Sequence, residues 1–278
     1  MPELPEVETV KRGISALIGQ TINEFIVRNP SLRYKITPSM GLKLIGTKIT
    51  NITRRAKYLI ITLKNDSQPL INAGFLIIHL GMSGSLKLLN AATDIPTQKH
   101  DHVDLCCTTN ILRYNDPRRF GMMIYVDNLE ECFLLKALGP EPLKDEFGAA
   151  YLLTKLKNRK STIKQLIMNN SIVVGVGNIY ACEALFLAKI SPLRLGYTIT
   201  VTEANTLVTA IKQVLERAIE LGGSSLRDYK QADGNLGYFQ NTHNVYAKAG
   251  QKCKICNSII LEERLGQRNS FYCSYCQK

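Results

Sequence analysis

The first residues of the chain combine a secondary amine with two carboxyl groups. Removal of Met1 leaves Pro2 with a free α-amine, and such amines have an ordinary pKa of about 7.7–8.0, so a usable fraction is unprotonated near neutral pH. The positive end of a helix starting here would further disfavour protonation. The amine can attack an electrophilic carbon and form an iminium, an electron sink that permits elimination. Glu3 and Glu6, one helical turn apart, can supply general acid and base function beside it.

The same segment also has an ordinary structural interpretation. Proline is common at the first position of a helix, and acidic side chains there complement the helix dipole. From these residues alone a plain helix start is the favoured interpretation. Other features must therefore decide between a binding protein and an enzyme.

Four of the eight cysteines have the spacing of a metal site. They form two C-x-x-C pairs separated by sixteen residues, with the strands of a hairpin expected between them at 258–261 and 270–272 and a turn near Gly266. Two such pairs can bring four thiolates to one tetrahedral centre, whereas two disulfides are the less favoured alternative. One structural Zn²⁺ is therefore predicted, with the ligands Cys253, Cys256, Cys273 and Cys276.

The charge of the chain indicates a polyanionic partner. The sequence has 278 residues with 35 Lys and Arg against 23 Asp and Glu, a formal net charge of +12. Eight of these twelve charges lie after residue 133, where a run of basic residues from Lys155 to Lys164 contains no acid. Nucleic acid is the first interpretation of such a balance and an anionic membrane surface the second. Taken alone, the basic run is as typical of a solvated face.

Composition excludes several other classes of protein. Hydrophobic residues make up 45% of the chain, which is too many for a disordered protein. No apolar run reaches the eighteen or so residues of a membrane span, and the acidic, proline-containing start does not resemble a signal peptide. The remaining cysteines, Cys106, Cys107, Cys132 and Cys182, are predicted to be free thiols in a reducing compartment.

Hydrophobic periodicity predicts the elements that would position these residues. An amphipathic helix is expected over 3–19, short antiparallel strands follow as far as residue 133, and the Gly-Pro-rich segment 138–142 breaks regular structure. The second half is expected to be helical, with a turn at Gly175-Val-Gly177 whose amides, with Asn178, could hold a phosphate. The expected strands are 22–27, 42–52, 58–63, 76–80, 85–89, 103–107, 111–114 and 122–126, and the expected helices are 161–168, 178–189 and 202–221.

Several longer motifs give the chain a family resemblance. They occur in order over essentially its whole length, and the chain resembles the bacterial formamidopyrimidine-DNA glycosylases. The motifs are PELPEVETV at 2–10, RRAKYL at 54–59, HLGMSGSL at 79–86, KHDHVDL at 99–105, RYNDPRRFG at 113–121, VVGVGNIYACEALF at 173–186, DGNLGYF at 233–239 and the C-x-x-C pairs.

The resemblance implies an enzyme that excises oxidised purines, such as 8-oxoguanine and formamidopyrimidines, and then cleaves the strand. It implies that Pro2 attacks the sugar C1′ and forms a Schiff base, with Glu3 as proton donor and Glu6 close by. Lys57 would then act in β-elimination, and Arg268 would assist δ-elimination and bind phosphate. The resemblance further implies that Met82, Arg118 and Phe120 fill the gap left by the everted nucleotide, and that His100, Arg118, Arg159, Lys164 and Asn178 contact DNA.

The fold implied is α+β with two domains. An N-terminal helix and antiparallel β-sandwich over 1–133 would be joined by a linker, 134–150, to a helix-two-turns-helix domain, 151–243, and a zinc-bound β-hairpin, 244–278. A loop within 222–240 is expected to close over the extruded base. The implied partner is double-stranded DNA with oxidised bases or abasic sites, met by a monomer in the bacterial cytoplasm, at the nucleoid, with no membrane association.

Two alternatives remain open at this stage. An endonuclease VIII-type enzyme would prefer oxidised pyrimidines, but it typically has glycine where this chain has Leu4, and Lys164 also favours the purine branch. A non-catalytic zinc-hairpin protein would explain the charge and the cysteines but not Pro2, Lys57 or the wedge residues. Departures from the family pattern are small, with Lys87 in place of a common arginine and Ala247 in place of a glycine.

Overall fold

The computed structural model describes residues 2–65, 68–93, 95–224 and 238–278. These fall into two compact units, one from 1–136 and 221–238 and the other from 137–220 and 239–278. The predicted domain boundaries stay a prediction, and most of the expected base-closing loop, 225–237, lies outside the described residues. Among the helices that are described, none is long and apolar enough to cross a membrane.

The first unit contains two four-stranded antiparallel sheets, which confirms the predicted sandwich. One sheet has the strand order β1-β6-β7-β5 and the other β2-β3-β4-β8. The strands are β1 Ile22–Val27, β2 Thr47–Arg55, β3 Tyr58–Asn65, β4 Gln68–His79, β5 Ser85–Asn90, β6 Asp101–Cys107, β7 Asn110–Asn115 and β8 Met122–Val126.

One hydrophobic core joins both sheets to the N-terminal helix α1, Leu4–Gly13. Val7 and Val10 of α1 are fully buried in this core with side chains from every strand that faces it. Their spacing places them on one face of the helix, which is why α1 packs against β2 and β3. The core therefore fixes the position of α1, and with it the position of the residues at the start of that helix.

Two local predictions about the first unit are wrong. The predicted helix over 3–19 ends at Gly13 and is followed by a short 3-10 turn, Ser15–Leu17, before Gly19 adopts a φ of +92°. The predicted strand 42–52 combines two elements, because Pro38–Leu44 forms helix α2 and only Thr47 onward is β-strand. Pro38 opens that helix, where its missing N–H is no disadvantage. A further short helix, α3, spans Phe133–Lys136.

The second unit is helical, as predicted. Its helices are α4 Ala149–Leu156, α5 Ile163–Ile167, α6 Asn178–Leu187 and α7 Val201–Glu220. Every residue from Ile179 to Phe186 is buried, so α6 lies at the centre of the unit with its neighbours packed around it. The amphipathic α7 buries one stripe, which contains Leu207, Ile211 and Leu215.

A two-stranded hairpin completes the second unit. Its strands are β9 Leu261–Leu265 and β10 Arg268–Tyr272, with Gly266 in the turn at a φ of +62°. The predicted first strand at 258–261 was placed too early, because residues 258–260 lie in the preceding loop. The hairpin packs against α6, where Cys253 and Cys273 share a small core with Cys182 and Phe186.

Candidate functional sites in the two units

The start of α1 is a buried polar site. Pro2 is buried, and Glu3 and Glu6 are only 3% and 1% exposed. Oε2 of Glu6 accepts the Glu3 amide at 2.8 Å, and Oε1 accepts the Ser224 amide at the same distance. A Cβ on Gly223 would lie 2.9 Å from Oε1, and the φ there is +80°. Glu6 therefore joins the helix start to the segment 223–224, and its predicted acid/base role stays a prediction.

Lys57 lies in the tight turn between β2 and β3. Its neighbour Ala56 has a φ of +54°, a conformation that few side chains adopt without strain. Arg54 fixes this turn to α1, because its Nη1 donates to the Ala56 carbonyl at 2.9 Å and its Nε donates to Glu8 at 3.0 Å. The N-terminal helix and the lysine turn are thus held together by one arginine.

Glu8, the residue of α1 that Arg54 contacts, is ionised in the folded protein. Burial opposes its ionisation, but hydrogen bonds from Lys11 and Arg54 outweigh the burial, so that the pKa of Glu8 is lowered. The carboxylate therefore stays charged at neutral pH. It provides a fixed link between the helix and β2.

His79, which the sequence analysis did not select, lies near Lys57. Burial lowers the pKa of His79 to about 4, and the positive charges of Lys57 and Arg33 contribute. Its Nδ1 faces the Gly81 amide at 3.0 Å and accepts that hydrogen bond, and its ring lies 5.0 Å from that of Tyr58. His79 is therefore a neutral imidazole at working pH. Its position directly before the LGMSG motif is the signal that could have identified it.

Two loops of the first unit carry the predicted wedge residues. Met82 is half-buried in the turn after β4, while Phe120 is 48% exposed and Arg118 lies over its ring at 4.9 Å. The loops touch through their backbones, because a Cβ on Gly81 would lie 2.4 Å from the nitrogen of Gly121. The structure thus brings all three wedge residues onto adjoining loops. His100, half-buried before β6, lies on the same sheet as the second loop.

In the second unit, Lys164 is buried rather than displayed. It is 1% exposed, and its ammonium donates to Asn178 Oδ1 at 2.6 Å, Ser270 Oγ at 2.7 Å and the Asn269 carbonyl at 3.1 Å. Asn178 Nδ2 also donates to that carbonyl, at 3.0 Å. These bonds connect α5, the start of α6 and strand β10. Contact of Lys164 with DNA stays a prediction, and the geometry adds a role in holding Asn178 and the hairpin.

Arg159 and Arg268 are the exposed cations of this unit among the predicted site residues. Arg159 follows α4, and its carbonyl accepts the amide of Tyr197 at 3.2 Å. Arg268 opens β10 opposite Leu265, at the tip of the hairpin. A hollow of about 200 Å³ lies beside Arg268 and is also lined by Lys164 and Gly266. Both guanidinium groups are placed where an anion can reach them.

The four predicted zinc ligands converge. Their sulfur atoms lie within 4.8 Å of one another, the only such cluster of three or more ligands among the described residues. A tetrahedral zinc ion with Zn–S bonds of about 2.3 Å separates its sulfurs by about 3.8 Å. The Cys253–Cys276 pair lies at 3.9 Å and the Cys256–Cys273 pair at 3.4 Å, too far for disulfides. The donor set fits one structural zinc ion.

The two units together define an α+β protein in which an N-terminal helix and β-sandwich share one chain with a helical, zinc-hairpin unit. Residues 1–123 match the model of the formamidopyrimidine-DNA glycosylase N-terminal domain. Residues 138–230 match the H2TH domain of the same enzymes, and residues 250–278 match a zinc finger found in FPG and IleRS.

Similar proteins cover the whole chain. A formamidopyrimidine-DNA glycosylase from Photorhabdus laumondii is 50% identical over 279 residues, with 100% of both chains covered. A Lactococcus lactis FPG mutant, solved with Fapy-dG-containing DNA, has a TM-score of 0.89 and 35% identity, again with 100% of both chains covered. MutM in complex with carbocyclic 8-oxo-G-containing DNA has a TM-score of 0.87, 35% identity and the same coverage. The chain belongs to the formamidopyrimidine-DNA glycosylase family.

Proposed function

We propose that this chain is a bifunctional DNA glycosylase and AP lyase of base excision repair, which removes 8-oxoguanine and formamidopyrimidines from double-stranded DNA. The family membership over the full length supports this activity. The observation that carries it furthest is the buried start of α1, where Pro2 adjoins Glu3 and Glu6. Glu3 and Glu6 cap the helix, and burying both carboxyl groups beside the N-terminal residue also places two proton-transfer groups next to Pro2.

The reaction uses Pro2 as the nucleophile. Once Met1 has been removed, the lone pair of the Pro2 amine attacks C1′ of the damaged nucleotide, and the C1′–N bond to the base breaks. Glu3 supplies the proton that opens the sugar ring, which leaves an iminium between Pro2 and C1′. The iminium acidifies the C2′ proton, whose removal expels the 3′-phosphate in β-elimination. Lys57 assists this step as proton donor, and Arg268 assists the following δ-elimination while binding phosphate.

The other assigned residues bind and deform the duplex. Insertion of apolar side chains between base steps kinks DNA and compensates for an extruded nucleotide. Met82 and Phe120 take this role on the adjoining loops, and Arg118 contacts the orphaned partner base. The phosphates are bound by His100, Arg159 and Asn178, and the buried Lys164 holds Asn178 in place for that contact. One structural zinc ion, held by the four cysteines, keeps the hairpin folded.

The cellular setting follows from the substrate. Genomic DNA as substrate places the enzyme at the nucleoid, in the cytoplasm of a bacterium. A single lesion needs one active site, so the enzyme works as a monomer. Both statements are part of the proposal, and size-exclusion chromatography coupled to light scattering tests the second.

Borohydride trapping tests the proposed function. Reduction during reaction with an 8-oxoguanine duplex should link the protein covalently to DNA, and Pro2→Gly should reduce trapping by about 100-fold or more. Pro38→Gly, at the exposed start of α2, is the matched control and should trap normally. Mass spectrometry establishes that Met1 is absent from the trapped species.

Three outcomes separate the candidate functions. Absence of a trapped species on 8-oxoguanine duplex refutes the proposal. Trapping on thymine glycol duplex alone supports the oxidised-pyrimidine alternative. Tight, zinc-dependent DNA binding without any trapping supports a non-catalytic DNA-binding protein.

A further inference from the structure

A buried carboxylate lies between the two loops that carry the proposed wedge residues. Asp116 follows β7 and is 0% exposed. Its Oδ1 accepts the Ser83 hydroxyl at 2.6 Å and the Arg118 amide at 3.3 Å. Its Oδ2 accepts the Gly121 amide at 2.8 Å and the Tyr114 hydroxyl at 3.2 Å. One carboxylate therefore binds donors from the Met82 loop, the Phe120 loop and the core.

The backbone of Asp116 is held as firmly as its side chain. Its amide donates to the His100 carbonyl at 3.1 Å, and its own carbonyl accepts the Arg119 amide at 3.2 Å. Nε2 of His102 lies 2.8 Å from the same carbonyl. Because His102 is buried and lies on β6, the carboxylate is fixed relative to the sheet rather than to a mobile surface. The Asp116 carboxylate can therefore hold both loops at a fixed position relative to the sheet.

The backbone of the two loops packs closely against its surroundings. A Cβ on Gly121 would lie 1.8 Å from the Tyr114 hydroxyl, and one on Gly84 would lie 2.2 Å from the Leu80 carbonyl. Arg119 adopts a φ of +56°, which an arginine rarely does without support. Close backbone packing of this kind places amides at a short distance from the carboxylate. Among the bonds that hold the loops, those to Asp116 join one loop to the other.

We propose that Asp116 is the positioning residue of the wedge, which holds the loops of Met82 and Phe120 at a fixed separation so that both can enter the duplex together. This inference rests on the proposed function. Entry into the base stack is opposed by stacking free energy, so a loosely held loop would be pushed out by the DNA. Charge-assisted bonds to one buried carboxylate resist that displacement more strongly than neutral bonds would.

The isosteric variant Asp116→Asn tests the proposal. The amide keeps one acceptor oxygen and places an NH₂ group against one backbone amide, of Arg118 or Gly121, which loses its acceptor without a change of volume; the facing hydroxyl, of Ser83 or Tyr114, can turn to accept from the NH₂ group. We expect kcat/KM on an 8-oxoguanine duplex to fall by about tenfold, since one bond is lost and the others no longer involve a charged group. Cleavage of a single-stranded abasic oligonucleotide needs Pro2 but no wedge, and it should change by less than about threefold.

A spectroscopic measurement separates positioning from general destabilisation. A 2-aminopurine next to the lesion becomes fluorescent when its stacking is broken, and this rise should be slower in Asp116→Asn by a factor similar to that of kcat/KM. Asp104→Asn is the matched control, because Asp104 is equally buried but binds Arg28 and Arg113 instead of the loops. The control should keep the ratio of duplex to single-strand activity even where it lowers stability.

The outcomes are distinct from those that test the proposed function. Equal losses on duplex and single-stranded substrates, or full duplex activity in Asp116→Asn, overturn the positioning role. An inactive wild-type protein refutes the proposed function instead. Should Asp116→Asn fail to fold, Ser83→Ala and Tyr114→Phe each remove one donor from the same carboxylate, and smaller losses confined to the duplex substrate are expected.

Discussion

Glu183 offers a strong test of how the zinc hairpin is attached to the helical unit. It lies on α6, five residues after Asn178, and is 2% exposed. Oε2 accepts the amide and the side-chain NH₂ of Asn244 at 2.8 and 3.0 Å, and Oε1 accepts the amides of Val245 and Tyr246 at 2.9 Å each. These residues lead directly into the first cysteine pair. The substitution Glu183→Gln keeps the size of the side chain and replaces one acceptor oxygen by a donor.

The expected effect follows from the bonds that glutamine cannot make. Whichever way its amide is turned, at least one backbone amide faces an NH₂ group and loses its partner, and the bonds that remain no longer involve a charged acceptor. Hydrogen bonds to a charged group contribute about 1.5–3 kcal/mol each, so the attachment should weaken by about 3 kcal/mol. An equilibrium constant changes tenfold for about 1.4 kcal/mol, so local opening should increase by about 100-fold.

Hydrogen–deuterium exchange measures this opening at the amides of residues 244–246. In the zinc-loaded Glu183→Gln protein these amides should exchange about 100-fold faster, while α7 and the sandwich keep wild-type protection. Glu220→Gln is the matched control, since Glu220 pairs with Arg217 at the surface with 64% of its side chain exposed. The control should change stability by less than about 0.5 kcal/mol. Exchange within threefold of wild type at 244–246 would show that Glu183 does not hold this segment.

Three other perturbations have expected outcomes. Chelation of zinc should abolish duplex binding, as measured by fluorescence anisotropy, while circular dichroism still shows a folded sandwich. Simultaneous loss of binding and of the sandwich would contradict a zinc site that stabilises only the hairpin. Lys164→Met should lower the free energy of unfolding by about 2–4 kcal/mol, because Asn178, Asn269 and Ser270 lose a shared donor. It should also weaken duplex binding. An unchanged urea unfolding curve would refute the predicted loss of stability. The pKa of His79 is about 4 in the folded protein, below its ordinary value of 6.5. As the pH falls, the unfolded chain therefore binds the proton first, and the free energy of unfolding decreases from about pH 6.5 to pH 4. His79→Asn should make that decline shallower in urea unfolding, and an identical decline would contradict the assignment.

Features with a local signature could be predicted from the sequence. The cysteine spacing predicted the zinc site, and it converges as expected. Short β-rich runs separated by turn residues predicted the sandwich. The predicted strand at 42–52 failed because Leu42 and Leu44 lie in a helix, which Gly46, at a φ of +81°, separates from the strand that begins at Thr47. Periodicity alone cannot divide such a run.

The sequence could not predict the positions and contacts of the buried polar residues. In the sequence, Glu183 and Asp116 look like any acidic residue of the surface. Only the folded chain brings backbone amides to their carboxylate oxygens. His79 was passed over for the same reason, because its neutral state depends on burial and on a nearby lysine. The backbone amides that Glu183 binds lie 61 to 63 residues away in sequence, and Asp116 joins amides of its own loop to Ser83 of another loop. Local patterns carry no record of such contacts.

The net charge of +12 overstates the number of cations available to DNA. Arg54 is bound to Glu8, and Arg113 is bound to Asp104 with both side chains buried, so neither guanidinium is free to replace counterions on a phosphate backbone. Lys164 is likewise enclosed by oxygen acceptors. Arg159 and Arg268 remain exposed, one after α4 and one at the hairpin tip. The affinity for DNA therefore depends on the exposed cations, and the buried Lys164 acts by holding the hairpin that carries Arg268. For this reason the residues that position the hairpin and the wedge matter to the reaction as much as those that touch the DNA.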